Sequence, residues 1–263
     1  MGPALLFCPA DRPERYAKAA ERADAVILDL EDAVNPESKA AAREALIAQP
    51  LDPARSIVRL NAAGTADHEL DLAALAQTEY RTVMLAKAES REDLAGLGGI
   101  RVIVLCESAR GILAAAELAA ADAVVGLMWG AEDLLVSLGG SSSRHDDGRY
   151  RDVALHSRST VLLAAASHGK AAIDAVYVNI PDAEGLAAEA RDAVASGFAA
   201  TACIHPSQVD TIRAAYAPDP AELEWAHAVL AAAEGQRGAF RFEGKMIDGP
   251  VLRHAERLIA RAS

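Results

Sequence analysis

A TIM (β/α)8 barrel with a C-terminal helical extension, an α/β fold, is what the sequence predicts. Three observations point to it. The chain has 263 residues, within the range of one large barrel. Short β-branched or aliphatic runs alternate with Ala-rich segments of helical spacing, the pattern of repeated βαβ units. Eight such runs fit within about 215 residues, as a barrel of usual size requires.

The candidate strands, in order, are Ala4 to Pro9 (ALLFCP), Ala25 to Leu30 (AVILDL), Ser56 to Leu60 (SIVRL) and Thr82 to Ala86 (TVMLA). Arg101 to Cys106 (RVIVLC), Ala123 to Met128 (AVVGLM), Ala172 to Tyr177 (AIDAVY) and Thr201 to Ile204 (TACI) complete the set. Pro13 and Pro36 occupy first-turn positions of the helices after the first two strands, and Ser90 caps SREDLAGL after the fourth. Past the last strand come SQVDTIRAAYA, a long helix from near Pro220, a Gly-rich crossing and a final helix from about Pro250. The organisation read from this is a catalytic barrel over 1–216 and a helical extension over 217–263. A doubly wound open sheet is the main rival, but its Gly-rich phosphate turn is missing from CPADRPER and LDLEDAVNPE.

Composition narrows the function classes. Hydrophobic residues at 52% and charged residues at 24% describe a chain that buries a core, so extended disorder is not expected. With 26 basic against 38 acidic residues the net charge is −12, and no basic patch offsets it, which argues against a nucleic-acid partner. Aromatics at 4% leave little for a base-stacking surface. Cys8, Cys106 and Cys203 lack metal or redox spacing, and their odd number suits a reducing compartment. No apolar run reaches the roughly 18 residues of a membrane span and the N-terminus lacks a basic leader, so a cytoplasmic protein is expected.

Barrel active sites gather at the C-terminal ends of the strands. There the runs end in Asp29, Glu31 and Asp32, in Arg59 and Asn61, in Lys87, in Glu107, in Glu132 and Asp133, and in His205. Glu107 and Asp133 come from adjacent strand ends, and two carboxylates sharing a mouth repel unless a cation or proton lies between them. Mg²⁺ suits such a pair, because it takes one or two carboxylates and leaves positions for a bidentate ligand such as a 2-keto acid. Arg59 would clamp the acid's carboxylate through its planar fork. Glu132 reads as a cap of the following helix. Strand alternation turns Cys106 towards the helices when Glu107 faces the mouth, and all three cysteines read as buried.

Lys87 supports a competing chemistry, a metal-free Schiff base, although the neighbouring Glu89 favours the charged amine. His205 suits an acid, a ligand or a helix entry. The loop Gly139 to Tyr150 (GGSSSRHDDGRY) suits a lid, an anion-binding loop or a solvated connection.

LLFCPADRPER, DAVILDLEDAVNPESKAAAR, VRLN, MLAKAES, LCESARG, MWGAEDL and CIHPSQ occur in that order across nearly the whole chain. In these blocks the sequence resembles the citrate lyase beta-subunit-like family of the HpcH/HpaI aldolase superfamily, and in particular its stand-alone actinobacterial-type members. The resemblance implies a Mg²⁺-dependent enzyme that cleaves or forms a carbon–carbon bond between a 2-keto acid and an acyl-CoA thioester such as citramalyl-CoA or malyl-CoA. It implies Glu107 and Asp133 as metal ligands, and Arg59 with Glu107 against the substrate. Asp248, in MIDGP, matches the acid/base aspartate that reaches a neighbouring subunit's site, which implies a homo-oligomer, commonly a trimer. Arg12, Arg15 and Lys18 match positions turned towards the coenzyme A phosphates. One departure is Ala86, where many relatives have proline before the lysine. Two other readings are a citryl-thioester lyase beta subunit working with an acyl carrier protein, and a non-catalytic carboxylate-binding subunit.

Overall fold

The computed structural model describes residues 2–262. Its first unit, extending to Ala215, is a closed barrel of eight parallel strands in sequence order, β1 pairing with both β2 and β8. The strands are β1 (Ala4–Pro9), β2 (Ala25–Asp29), β3 (Ser56–Leu60) and β4 (Thr82–Leu85). β5 (Arg101–Cys106), β6 (Val124–Trp129), β7 (Ala171–Asp174) and β8 (Ala200–Cys203) close it. The sequence places all eight; β1, β3 and β5 have the expected bounds, and the ends of the others shift by one to three residues.

The helices are α1 (Tyr16–Arg22), α2 (Lys39–Ala48), α3 (Ala66–Leu75), α4 (Ala109–Leu113), α5 (Ala115–Ala119), α6 (Ala131–Leu138), α7 (Asp152–Ser167), α8 (Ala183–Ser196) and α9 (Val209–Tyr216). The eightfold alternation lapses after β4. Where SREDLAGL predicts a helix, a single 3₁₀ turn forms over Arg91–Leu94, and the chain leaves it through Gly96 and Gly99, both at positive φ. Glycine alone takes that conformation without cost, so the helix stops there. Ser90 does start the turn, its amide donating to Asp93 Oδ2 at 3.0 Å.

Barrel closure gives each strand one face towards the axis. Leu5, Ala25, Ile27, Ile57, Met84, Ile103, Leu105, Met128, Ile173, Ala200 and Ala202 form that interior. Val104 and Cys106, out of phase with them, are buried on the helix side, as the alternation requires. Small and medium side chains suffice because a barrel of this size has room for little more than the side chains themselves.

The second unit, from Tyr216, contains α10 (Pro220–Ala233), β9 (Phe240–Phe242), β10 (Lys245–Ile247) and α11 (Gly249–Ala262). Its core is Ala226, Val229, Ile247, Ala255 and Leu258, with Trp225 and Phe240 packed against it. The crossing between the helices is therefore an antiparallel hairpin, not an irregular segment; the turn at Glu243 and Gly244 lies at positive φ. Among the described residues no helix is long and apolar enough to cross a membrane.

One buried polar cluster fixes the C-terminal end of β3. Asp71, fully buried in α3, accepts from the Asn61 amide at 2.9 Å, from Asn61 Nδ2 at 2.7 Å and from Arg43 Nε at 2.7 Å. Asn61 Nδ2 also donates to Leu30 O at 2.9 Å, tying the ends of β2 and β3 together. Asn61 thus has a scaffolding job. Removing the carboxylate leaves Arg43 Nε and the Asn61 amide without their acceptor, while Arg43 Nη2 keeps Asp67 and Asn61 Nδ2 keeps Leu30 O. Asp71→Ala should lower the stability of the barrel by about 2–3 kcal/mol in denaturant unfolding, the cost of buried donors left unsatisfied; a loss below about 1 kcal/mol, the level of an exposed ion pair, would contradict this account.

Candidate active site

The alternation that fills the barrel also aims its polar residues. Ala25 and Ile27 point inward, so Asp29 does; Ile57 points inward, so Arg59 does; Ile103 and Leu105 point inward, so Glu107 follows at the end of β5. All three are buried at the mouth.

Arg59 donates through Nε to Asp29 Oδ1 at 2.7 Å and through Nη2 to Asp29 Oδ2 at 2.6 Å. Its Nη1 lies 3.1 Å from Glu31 Oε2, and the guanidinium stands 4.9 Å from the Phe7 ring centre. Asp29 is locked in turn by the amides of Glu31 at 2.9 Å and Ala33 at 3.2 Å. Burial works against the guanidinium charge, but the carboxylates of Asp29 and Glu31 outweigh it and hold Arg59 above the ordinary arginine range. The side-on fork that the sequence reading gives to a substrate carboxylate is thus engaged by Asp29. The outer edge, with the remaining N–H groups of Nη1 and Nη2, is what can meet a ligand.

Lys87 follows β4. Its ammonium bonds Glu31, reaches Asp32 at 2.9 Å and stands 3.5 Å from Asp133. Burial alone would lower its pKa; the hydrogen bonds to Glu31 and Asp32 raise it instead. An amine held charged among carboxylates is a poor nucleophile, so the geometry disfavours the Schiff base. The partner expected from sequence, Glu89, is elsewhere: it accepts from Ser108 Oγ at 2.6 Å and lies 3.8 Å from Arg110.

Glu107 Oε1 accepts the Lys87 amide at 3.1 Å. The other face of its carboxylate lies against Gly130, where a β-carbon would stand 2.8 Å from Oε2 and 2.9 Å from the Glu107 β-carbon; glycine makes room for this side chain. Burial first, and then the charge of Asp133, push Glu107 up to about 8. Asp133, in the first turn of α6, is half-buried. Among the described residues no three His, Cys, Asp or Glu side chains form a ready metal cage. Two hard oxygen donors with charge to spare fit a hard divalent cation that keeps open coordination positions, as the chemistry of Mg²⁺ allows.

Arg12, Arg15 and Lys18 follow β1 and are exposed, with Arg15 3.9 Å from Glu14. Asp248 belongs to the second unit, where its Oδ1 accepts the Val251 amide at 3.3 Å at the start of α11. His205 is a helix-entry residue, its Nδ1 accepting the Ser207 amide at 3.2 Å. Glu132 does not cap α6; it accepts from Ser143 Oγ at 2.9 Å and holds the loop that follows. That loop is anchored again through Arg144, which pairs with Glu189 and stacks 3.7 Å from the Tyr150 ring centre. The three cysteines are buried, and desolvation pushes Cys8 up to about 11 and Cys106 to about 12, far from a reactive thiolate. Asp29, Glu31, Asp32 and Gly130 are site residues to which the sequence reading gives no role.

The raised Glu107 carboxyl has a consequence for folding. Its ordinary value is 4.5, so between about 4.5 and about 8 the folded protein holds a proton that the unfolded chain releases. This group's contribution is fully present below 4.5 and is lost as pH rises through 8. With chelator present, Glu107→Gln should gain stability relative to the native sequence as pH increases from 5 to 8, and then level off. Denaturation midpoints measured across that range check it, and a difference independent of pH would contradict the assigned shift.

The family model "HpcH/HpaI aldolase/citrate lyase" matches residues 4–206. A citrate lyase subunit beta-like protein of Mycobacterium tuberculosis is 61% identical over 261 residues, which is 99% of this chain and 96% of that protein. A (3S)-malyl-CoA thioesterase of Cereibacter sphaeroides is 33% identical over 276 residues, covering 98% of this chain and 93% of the relative. The crystal structure of CitE from M. tuberculosis with magnesium, acetoacetate and coenzyme A superposes with a TM-score of 0.94 at 61% identity, covering 99% of this chain and 98% of that one. The chain belongs to the HpcH/HpaI aldolase/citrate lyase family.

Proposed function

We propose that the protein is a Mg²⁺-dependent lyase that splits, or joins, a 3-hydroxyacyl-CoA of the malyl-CoA or citramalyl-CoA kind into a 2-keto acid and acetyl-CoA. The observation that carries this reading is the pairing, at one barrel mouth, of an unbalanced Glu107–Asp133 carboxylate pair with an Arg59 whose outer edge is free of the Asp29 clamp. The relatives' magnesium, acetoacetate and coenzyme A, and the malyl-CoA of the thioesterase, are ligands of matching chemistry.

Glu107 and Asp133 hold the cation. When bound, it supplies Lewis-acid stabilisation of charge that develops on a substrate oxygen. Arg59 receives the carboxylate of the keto-acid portion on its outer N–H groups, and the Asp29 clamp keeps the guanidinium from turning. Glu107 and Arg59 are buried, which keeps their charges out of bulk water and strengthens the contacts they make. Arg12, Arg15 and Lys18, exposed after β1, receive the coenzyme A phosphates. As the carbon–carbon bond breaks, the substrate hydroxyl loses its proton to solvent and becomes the keto group, and protonated Asp248 gives a proton to the α-carbon of the thioester enolate that departs; condensation runs these transfers in reverse. Asp248 acts from the second unit of a neighbouring copy, which makes the working form a homo-oligomer, with a trimer as the expected state, in the cytoplasm. In this reading the 1–216 barrel binds and cleaves, and the 217–263 extension completes the next subunit's site.

The test incubates the pure protein with citramalyl-, malyl- and citryl-CoA, with Mg²⁺ or with chelator, and measures keto acid and free acid separately. Release of keto acid that requires Mg²⁺ is expected. Cleavage insensitive to chelator would overturn the metal reading, and free malate in place of glyoxylate would replace the lyase with a thioesterase. Asp248→Asn should lose about 10²–10⁴-fold in rate while Mg²⁺ still binds, and an unchanged rate would remove Asp248 from the mechanism.

Gly130→Ala tests the fit of Glu107 from the opposite side. A methyl group there displaces the carboxylate, and a misplacement of about 1 Å costs about 10²-fold in rate. Steady-state kinetics on the folded variant measure this, and a loss under about twofold would show that Glu107 needs no such room.

A further inference from the structure

The ammonium of Lys87 stands among carboxylates that a divalent cation also attracts. It bonds Glu31, reaches Asp32 at 2.9 Å and lies 3.5 Å from Asp133, while the Lys87 amide donates to Glu107 Oε1 at 3.1 Å. The residue is held at φ 52, a left-handed conformation that a side chain with a β-carbon rarely adopts. Strain of this kind persists only where the surroundings impose it, and it gathers at working sites. Here one backbone conformation sets both contacts, the amide on Glu107 and the ammonium on the loop carboxylates. On its other side Glu31 faces Arg59 Nη1 at 3.1 Å, so it is held between two cations.

We propose that Lys87 is a positioning residue that sets the metal selectivity of the mouth: by keeping Glu31 and Asp32 on its ammonium, it restricts a divalent cation to the carboxylates of Glu107 and Asp133. This rests on the reading that the cation binds that pair. Mg²⁺ is small, octahedral and slow to give up water, and is content with one or two carboxylates; Ca²⁺ gathers six to eight oxygens and tolerates irregular geometry. Four carboxylates freed at one mouth would favour the larger ion and fill positions that a bidentate substrate needs. The ammonium prevents this by holding Asp32 and, with Arg59, Glu31; as a fixed positive charge 3.5 Å from Asp133 it also weakens cation binding overall.

Titration calorimetry of Mg²⁺ and Ca²⁺ into the metal-free full-length protein tests the proposal without substrate. Lys87→Met should shift the affinity ratio towards Ca²⁺ by about tenfold or more, because it releases the Asp32 carboxylate, frees the Glu31 oxygen that Arg59 does not hold, and removes a unit charge. Lys87→Arg, which keeps the charge, should stay within about threefold of the native ratio. Adding Asp32→Asn to Lys87→Met should reverse the Ca²⁺ gain. A ratio unchanged in Lys87→Met would overturn the proposal, and so would a double variant that kept the gain. If native protein bound no Mg²⁺ at all, the underlying Glu107–Asp133 reading would fall instead. Should Lys87→Met not fold, Asp32→Asn in the native sequence decides the matter. Its Mg²⁺ affinity should stay within about threefold, and a loss of tenfold or more would make Asp32 a ligand and sink the proposal.

Discussion

Five carboxylates and two cations meet at one end of the barrel, and the repulsion among the carboxylates is the constraint that the surrounding structure answers. Asp29, Glu31, Asp32, Glu107 and Asp133 are interleaved with Arg59 and Lys87, so that nearly every negative group touches a positive one. The arrangement needs accurate placement of both cations. Arg59 is placed by strand alternation and by the Asn61–Asp71–Arg43 cluster two residues beyond it, and Lys87 by a backbone turn that most residues resist.

The compensation is uneven, and the unevenness carries the chemistry. Arg59 is held by Asp29 on two hydrogen bonds and by Glu31 on a third contact. Glu107 receives only an amide and faces Asp133, so burial and a like charge leave it protonated near neutral pH. A buried carboxyl in that state costs stability in the ionised form and recovers it when a cation arrives. Gly130 belongs to the same arrangement, since the room it leaves allows the Glu107 side chain to occupy a position that no other residue at 130 would permit.

The fold was legible because a barrel repeats one local signal eight times, and a period-two run of aliphatic residues is readable without knowing its neighbours. The same alternation made Arg59, Glu107 and the outward Cys106 readable. Two elements were not. The 3₁₀ turn after β4 replaces a helix because glycines at 96 and 99 end it, a choice that helical spacing in SREDLAGL conceals. The β9–β10 hairpin has three-residue strands, too short for alternation to register, and its glycine-containing turn reads as a loop. Pairings across long stretches of sequence were equally hidden. Lys87 bonds carboxylates 55 and 56 residues away and not Glu89, two residues on, because loops of adjacent strands converge where a linear reading sees only near neighbours.

The overall charge of −12 takes on a local meaning at this mouth. Carboxylates there outnumber cations even after every ion pair is formed, so an anionic keto acid or a polyphosphate-bearing thioester meets an unfavourable field. At the mouth itself, the outer edge of Arg59 offers such a ligand positive charge, while the Lys87 ammonium is taken up by carboxylates. Under the proposed function a divalent ion would change the sign of that balance, because its two positive charges, held by Glu107 and Asp133, would favour the ionised form of both carboxyls and attract oxygen anions. The electrostatics thus favour loading the cation before the substrate, and they tie substrate affinity to the two carboxylates that the barrel keeps in excess.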